Sequence, residues 1–460
     1  MKIVSVKNSK AFQTLIKIID EDVDVDASWV TVLIGENGTQ KSLLLRTVAF
    51  SAAFEETSGN MLKISGDVSQ VIALSGTPLD RFVRFNQRIS KNKYTYLGLR
   101  AVNNVAGVGQ CEKSFVISLI SNRTLLKARA SEFELVFAQL GLIPTVEIEF
   151  DVARIFSSML NRQDRLPDLL CDRVKRHCEK ILATPGSSVL DRRDAKAALK
   201  MISDEDEQTF LYEVLQRLRS EKIVVTLGTT KNLVTSDTIT IGKWRILLEA
   251  GVVDIYETRF TPTDEARANW GKDEVPGPNL SSGQWNWLCT LGGLAAEVSD
   301  DSLILIDEPE NSLHPAWQRD YVPTLLRILE NFEGCHVLLA THSPLVASGL
   351  PSKFGNTRRL RREVNEEGTP VVQSYEAENT FGWSASDAYE ALFQLETSRA
   401  RLFNIDATNA LAMIKNGSGT RLEREETASI ILNNCLTLPV LDPMRLVMER
   451  VASSLKDGKG

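Results

Sequence analysis

WVTVLIGENGTQKS, residues 29–42, carries an apolar run into a glycine-containing turn, and the turn leads into a segment rich in Leu and Ala over residues 43–54. A buried central strand that hands such a turn to a helix N-terminus is the setting of a phosphate-binding loop. Backbone N–H groups converge on an anion there, and the helix dipole favours negative charge. Gly35, Asn37, Gly38, Thr39, Gln40, Lys41 and Ser42 are therefore candidate nucleotide-binding residues. Lys41 can reach the β- and γ-phosphates as a point charge, and the Ser42 hydroxyl oxygen can hold Mg²⁺. The pattern G-x-x-x-x-G-K-S asks for glycine where Gln40 stands. Gln fits there if its backbone is helical and its side chain points outward; otherwise it crowds the phosphates or alters water access.

Three further stretches fit the same chemistry. LILIDEPE at residues 303–310 is an apolar strand whose C-terminal end delivers Asp307 and Glu308, the end at which open α/β sheets bind ligands. Asp307 is placed to hold Mg²⁺ and Glu308 to polarise an attacking water. ATHSP at residues 340–344 ends the next apolar strand, 336–340, after a helical stretch over 317–332. That βαβ unit implies neighbouring parallel strands and brings His342 beside the acidic pair as a γ-phosphate contact. LSSGQ at residues 280–284 reads as a phosphate-contacting turn, with Ser281, Ser282, Gly283 and Gln284 as its candidates. NSLHP at 311–315 reads either as a cross-subunit contact or as a turn with His314 near a helix start.

Bulk composition narrows the remaining classes. At 460 residues the chain is long enough for two or three domains, and 43% hydrophobic with 25% charged residues is a globular balance. No run of about 18 apolar residues occurs and MKIVSVKNSK lacks a signal-peptide core, so we expect a cytoplasmic protein with no membrane span. The six cysteines show no CxxC pair and read as reduced thiols filling core space; four histidines make a zinc-centred site a poor fit. A net charge of −7 argues against a general DNA-coating surface. The cluster Arg358, Arg359, Arg361 and Arg362 reads as a solvated loop or edge strand in preference to a phosphate contact.

Along the chain, residues 1–125 and 223–374 carry the strand-rich halves of one α/β head. Strand character in the second half falls at 223–227, 238–241 and 252–260. Residues 126–222 read as a charged helical insertion, 261–279 as a polar mobile loop, and 375–460 as a helical extension suited to partner contact.

GENGTQKS, LSSGQ, LILIDEPE and ATHSP, in this order, resemble the Walker A, signature, Walker B and switch-histidine motifs of ABC-type ATPase heads. The layout resembles the soluble branch that includes the Rad50/SMC, RecF and overcoming-lysogenization-defect families; transporter subunits usually carry Asp where His314 stands. VIALSGTPLDRF at 71–82, YTYLGLR at 94–100 and TFGWSASD at 380–387 resemble the PtuA-like ATPases of the Septu antiphage defence system. The resemblance implies a P-loop head with a mixed sheet flanked by helices. It implies ATP and Mg²⁺ as cofactors and a head-to-head homodimer or higher oligomer in which Ser282 and Gly283 of one copy cap the γ-phosphate held at Lys41 of the other. It further implies an HNH nuclease partner (PtuB-like), with nucleic acid reached through that complex. Gln87 is the candidate for a glutamine loop after residues 71–74. The chain's own residues show neither an HNH nor a Toprim nuclease pattern. A RecF-type repair ATPase that clamps DNA directly is the alternative.

Overall fold

The structure is a computed structural model. It describes the chain except for residues 9–11, 54–61, 78–79, 83–92, 99–107, 158–165, 186, 188, 205–208, 210, 212–216, 219–222, 229–233, 236–240, 394–398 and 458–460. Gln87 lies outside the described residues.

Within the compact unit Met1–Ala388, the strands among the described residues form three sheets. The largest has seven strands in the order β15 (Pro370–Glu376), β14 (Gly355–Val364), β3 (Trp29–Ile34), β13 (His336–Ala340), β12 (Ser302–Asp307), β5 (Gln70–Ser75) and β6 (Lys93–Gly98). All neighbours are parallel except the β14–β15 hairpin. Such a sheet needs cover on both faces, and the sequence provides for it: every residue of β5, β12 and β13 is buried. The helix Lys41–Ala53 covers one face, with Leu44, Leu45 and Val48 fully buried. Each such side chain contributes roughly 1.5–3 kcal/mol relative to exposure. The parallel pair β12–β13, joined by the helix Pro315–Leu329, matches the expected βαβ unit.

A three-stranded antiparallel sheet, β2 (Phe12–Lys17), β1 (Lys2–Asn8) and β4 (Leu62–Ser65), is the second layer. The third sheet is antiparallel, in the order β11 (Val275–Pro276), β10 (Val253–Pro262), β7 (Leu142–Val152), β8 (Ile223–Gly228) and β9 (Val234–Thr235). Its centre corrects the expectation of a helical segment over 126–222. Helices Leu166–Ala183 and Val189–Ser203 are present, but β7 is an 11-residue strand. Val146, Ile148, Phe150 and Val152 are buried, while Glu149 pairs with Arg259 at 2.6 Å. That alternation is a strand's period, and the interleaved acids disguise it.

Other expectations also shift. Residues 261–279 are structured where β10 runs on to Pro262, β11 pairs with it, and Trp285 Nε1 donates to the Gly277 carbonyl at 2.9 Å. Ile241 opens a helix, Ile241–Glu249, and does not close a strand; residues 238–240 lie outside the described set. The arginine cluster sits on β14: Arg358 and Arg359 pair with both β3 and β15, so they are neither loop nor edge, whereas Arg361 and Arg362 pair with β15 alone, as an edge would. Arg358 is buried and its Nε donates to the Ile18 carbonyl at 3.0 Å; Arg361 lies over the Tyr375 ring. All six cysteines are free and five are buried, as expected of core-filling thiols. No helix among the described residues is long and apolar enough to cross a membrane.

Tyr389–Gly460 is a second compact unit. Its helices Arg401–Asn416, Arg421–Thr437 and Pro443–Asp457 pack around Ala410, Ala428, Ile431, Met448 and Leu455. Strand β15 runs through Glu376, so helical structure in the C-terminal stretch begins only at Ala385.

Candidate functional site

Sheet order decides what meets at the site. β13 separates β3 from β12, so the loops leaving β3, β13 and β12 lie side by side at their C-terminal ends. They carry Lys41, His342 and the Asp307–Glu308 pair in that spatial order.

In the first loop Gly35 and Gly38 have φ of +154° and +84°. A Cβ on Gly35 would fall 2.5 Å from the Leu360 carbonyl oxygen, so only glycine lets the loop pass β14. Thr39 is buried and its Oγ1 donates to the Glu36 carbonyl at 2.8 Å; Asn37 and Gly38 are exposed at the tip. Lys41 is 5% exposed and its Nζ donates to the Gly35 carbonyl at 2.8 Å and the Glu36 carbonyl at 3.3 Å. Burial pulls its ammonium down to about 8, against the opposing pull of Glu308, Asp307 and Glu310. An anion would answer that desolvation cost. Gln40 departs from the backbone its tolerance required. Its φ is +66°, left-handed and not helical, and its Oε1 is buried without a hydrogen-bond partner.

Ser42 Oγ donates to Asp307 Oδ1 at 3.0 Å, joining the two expected metal-holding groups. Burial lifts the Asp307 carboxyl to about 7, against the Ser42 hydrogen bond, and the charges of Glu308, Asp80 and Glu310 add to the rise. A desolvated carboxylate among other acids, with a hydroxyl in reach, is a hard-oxygen set that suits Mg²⁺. Ser42 and Asp307 are the groups that could hold it.

Glu308 leaves the strand end with φ +48° and its N–H donates to the Ala340 carbonyl at 2.9 Å. Non-glycine residues in this region store strain of order 1–3 kcal/mol and cluster at functional sites. Its Oε2 accepts from Asn311 Nδ2 at 2.9 Å, and its Oε1 lies 4.0 Å from His342 Nε2. Burial and the Lys41 charge lower the His342 imidazole below its usual value, so at neutral pH it is uncharged and keeps one N–H to donate.

The LSSGQ turn opens a short capped helix. Ser281 caps the helix Ser282–Trp287: Ser281 Oγ accepts from the Gln284 N–H at 3.2 Å, and Gln284 Oε1 accepts from the Ser281 N–H at 2.7 Å. This capping box fixes the turn at the helix start. Ser282 is exposed and Gly283 is buried; a Cβ on Gly283 would fall 2.3 Å from the Ser312 carbonyl oxygen. His314 caps the helix Pro315–Leu329 through Nδ1, which accepts from the Ala316 N–H at 3.3 Å, the turn alternative for NSLHP.

Several residues of the site escaped the sequence reading. Asn286, 1% exposed, donates from Nδ2 to the Pro309 and Asn311 carbonyls at 3.2 and 2.9 Å. The Gly76 N–H donates to the Asp307 carbonyl at 3.1 Å, and a Cβ there would meet the Glu308 carbonyl at 2.3 Å. Buried Asp80 accepts from the Tyr96 hydroxyl at 2.5 Å and adds its charge to Asp307.

Residues 249–348, from the end of the helix Ile241–Glu249 past the His342 loop, match the family described as "AAA domain, putative AbiEii toxin, Type IV TA system". Over 149 residues, 30% of the chain, the sequence is 35% identical to the "Retron Vc95 probable ATPase" of Vibrio cholerae serotype O1 biovar El Tor, and covers 26% of that protein. Over 87 residues, 19% of the chain, it is 37% identical to "Protein ea59" of Escherichia phage lambda, and covers 16% of it. The Smc head domain of Pyrococcus furiosus, solved with the C-terminal domain of ScpA, aligns over 81% of this chain and 96% of that one. Its 12% identity and TM-score of 0.30 make the likeness too loose to assign anything. The loop at residues 35–42 and the acidic strand end have the geometry of a P-loop site, and one of the two relatives is described as a probable ATPase.

Proposed function

We propose that the chain binds ATP with Mg²⁺ and hydrolyses it as the regulatory subunit of an antiviral defence complex. The observation that carries the ATPase reading is the meeting of Lys41, Ser42, Asp307, Glu308 and His342 at the ends of three adjacent parallel strands. Lys41 exchanges its two loop carbonyls for phosphate oxygens, and the open N–H groups of the loop hold the β-phosphate. Mg²⁺ bound by Ser42 and Asp307 would offset phosphate charge. Glu308, its carboxylate oriented by Asn311, accepts the proton of a water whose oxygen attacks the γ-phosphorus as the bond to ADP breaks. His342 gives its N–H to a γ-phosphate oxygen and so reports whether that phosphate is present.

In this reading Ser282 and Gly283 complete the site of a second copy, head to head, and ATP favours the closed dimer by binding it preferentially. The exposure of Ser282 on a capped helix supports that assignment. A cytoplasmic complex with an HNH nuclease, which acts on nucleic acid, rests on the resemblance to PtuA-like ATPases and on the match to a retron ATPase.

The test is phosphate release by the purified chain. Lys41→Ala is expected to lose ATP affinity at least about 10-fold by calorimetry, and Glu308→Gln to keep affinity while turnover falls about 100-fold or more. ATP-dependent dimerisation of Glu308→Gln on a sizing column supports the composite site. Wild-type protein that binds no ATP would sink the assignment. Co-purification with a nuclease encoded next door tests the partner.

A further inference from the structure

The acidic strand end carries a third carboxylate, Glu310, that the reaction as described does not use. Both of its oxygens are committed. Oε1 accepts from the His342 N–H at 2.5 Å and Oε2 from the Thr341 hydroxyl at 2.8 Å. Thr341 is fully buried, its own N–H donates to the Leu33 carbonyl at 3.1 Å, and its Oγ1 also accepts from the Ser343 N–H at 2.9 Å. Ser343 Oγ then donates to Gln318 Oε1 at 2.7 Å, while Gln318 Nε2 donates to the Leu313 carbonyl at 3.0 Å. Gln318 Nε2 also reaches the Glu310 carbonyl at 3.5 Å, so the hydrogen bonds close into a ring that ties the loop carrying Glu308 to the loop carrying His342. Charge-assisted bonds to a carboxylate are about twice as strong as neutral ones, which suits Glu310 to hold this ring together.

We infer that Glu310 is a positioning residue that fixes the His342 peptide, and with it the imidazole, at its 4.0 Å separation from Glu308. The inference rests on the proposed ATPase reading and adds a residue to it. The peptide N–H it holds belongs to His342 itself, so loss of the carboxylate frees the imidazole's attachment point. A displacement of about 1 Å in such a group costs turnover on the order of 100-fold. Most of the proposed ATP contacts come from the loop at residues 35–42, and His342 touches only the γ-phosphate, so the ring bears on turnover more than on affinity.

Glu310→Gln is the test, because it keeps shape and removes the charge. Expected are kcat down about 10- to 100-fold, ATP affinity within about 2-fold of wild type, and an unchanged melting temperature. The His342 imidazole proton signals in NMR should shift, while those of His177, His314 and His336 stay in place. Thr341→Val, which deletes the two bonds made by Thr341 Oγ1 but leaves the bond from the His342 N–H to Glu310, should give the same pattern at smaller amplitude. It also serves as the test if Glu310→Gln does not fold. An unmoved His342 signal in a folded variant overturns the inference, as does a loss of affinity equal to the loss of kcat. If wild-type protein hydrolyses no ATP, the ATPase reading falls, and the His342 signal alone decides whether the ring positions the imidazole.

Discussion

At Gln40 the backbone sits at φ +66°, where an L side chain costs about 1–2 kcal/mol, and its amide oxygen is buried without a partner. Glycine takes that conformation freely and removes the orphan oxygen, at some entropic cost in the unfolded chain. Gln40→Gly is therefore expected to raise stability in urea by about 1 kcal/mol net in the absence of nucleotide. A loss of stability would mean that Gln40 makes a compensating contact. His336 offers a second residue-level test. Its Nδ1 accepts from the Ile3 N–H at 2.9 Å, and Thr31 gives its own proton to Asn356 Oδ1, so Nε2–H must donate to Thr31 Oγ1 at 3.2 Å. Burial, reinforced by the Lys2 and N-terminal charges, holds this imidazole well below its usual value. The unfolded chain takes up a proton below about pH 6.5 that the native state refuses. Stability should thus fall as pH drops from 7 to 5, by at most about 1.4 kcal/mol per pH unit for this group. Urea midpoints check it, and the slope should lessen in His336→Gln.

Among the elements, the helix Ser282–Trp287 and the loop after β12 behave as one piece. Asn286 bridges them with two hydrogen bonds to backbone carbonyls, and Gly283 lets the Ser312 carbonyl approach. Asn286→Leu leaves both carbonyls unpaired, and each costs about 1–3 kcal/mol. A loss of at least about 2 kcal/mol is expected, together with slower hydrolysis; an unchanged melting curve would remove the strut. The same region shows what could be read beforehand. β12 and β13 were legible because buried parallel strands are continuous apolar runs ending in chemistry-bearing residues. β7 was not, since its buried alternation is interleaved with Glu147, Glu149 and Asp151, which read as helix-forming surface. The motif residues from Lys41 to His342 could be placed from spacing alone. Asn286 and Glu310 could not, because each is defined by partners in another loop.

For the molecule as a whole, β3 is flanked by β13 and β14 and by no earlier strand. The phosphate loop therefore depends on partners that lie about 300 residues later in the chain, a long-range closure of the slow-folding kind. A fragment ending before residue 336 is expected to bind no nucleotide and to aggregate, whereas residues 1–388 should stay soluble and bind it. Calorimetry and sizing of both pieces check this. A fragment lacking β13 that still binds would show the loop to be self-sufficient. During synthesis the order of strands has a further effect. At about 5–20 residues per second, β3 emerges from the ribosome roughly 15–60 seconds before its first neighbour exists. For that interval an apolar segment, WVTVLI, must be shielded by transient contacts or by chaperones. Rare codons or pauses between residues 35 and 335 would then govern how much active protein a cell recovers, with no change in the finished structure.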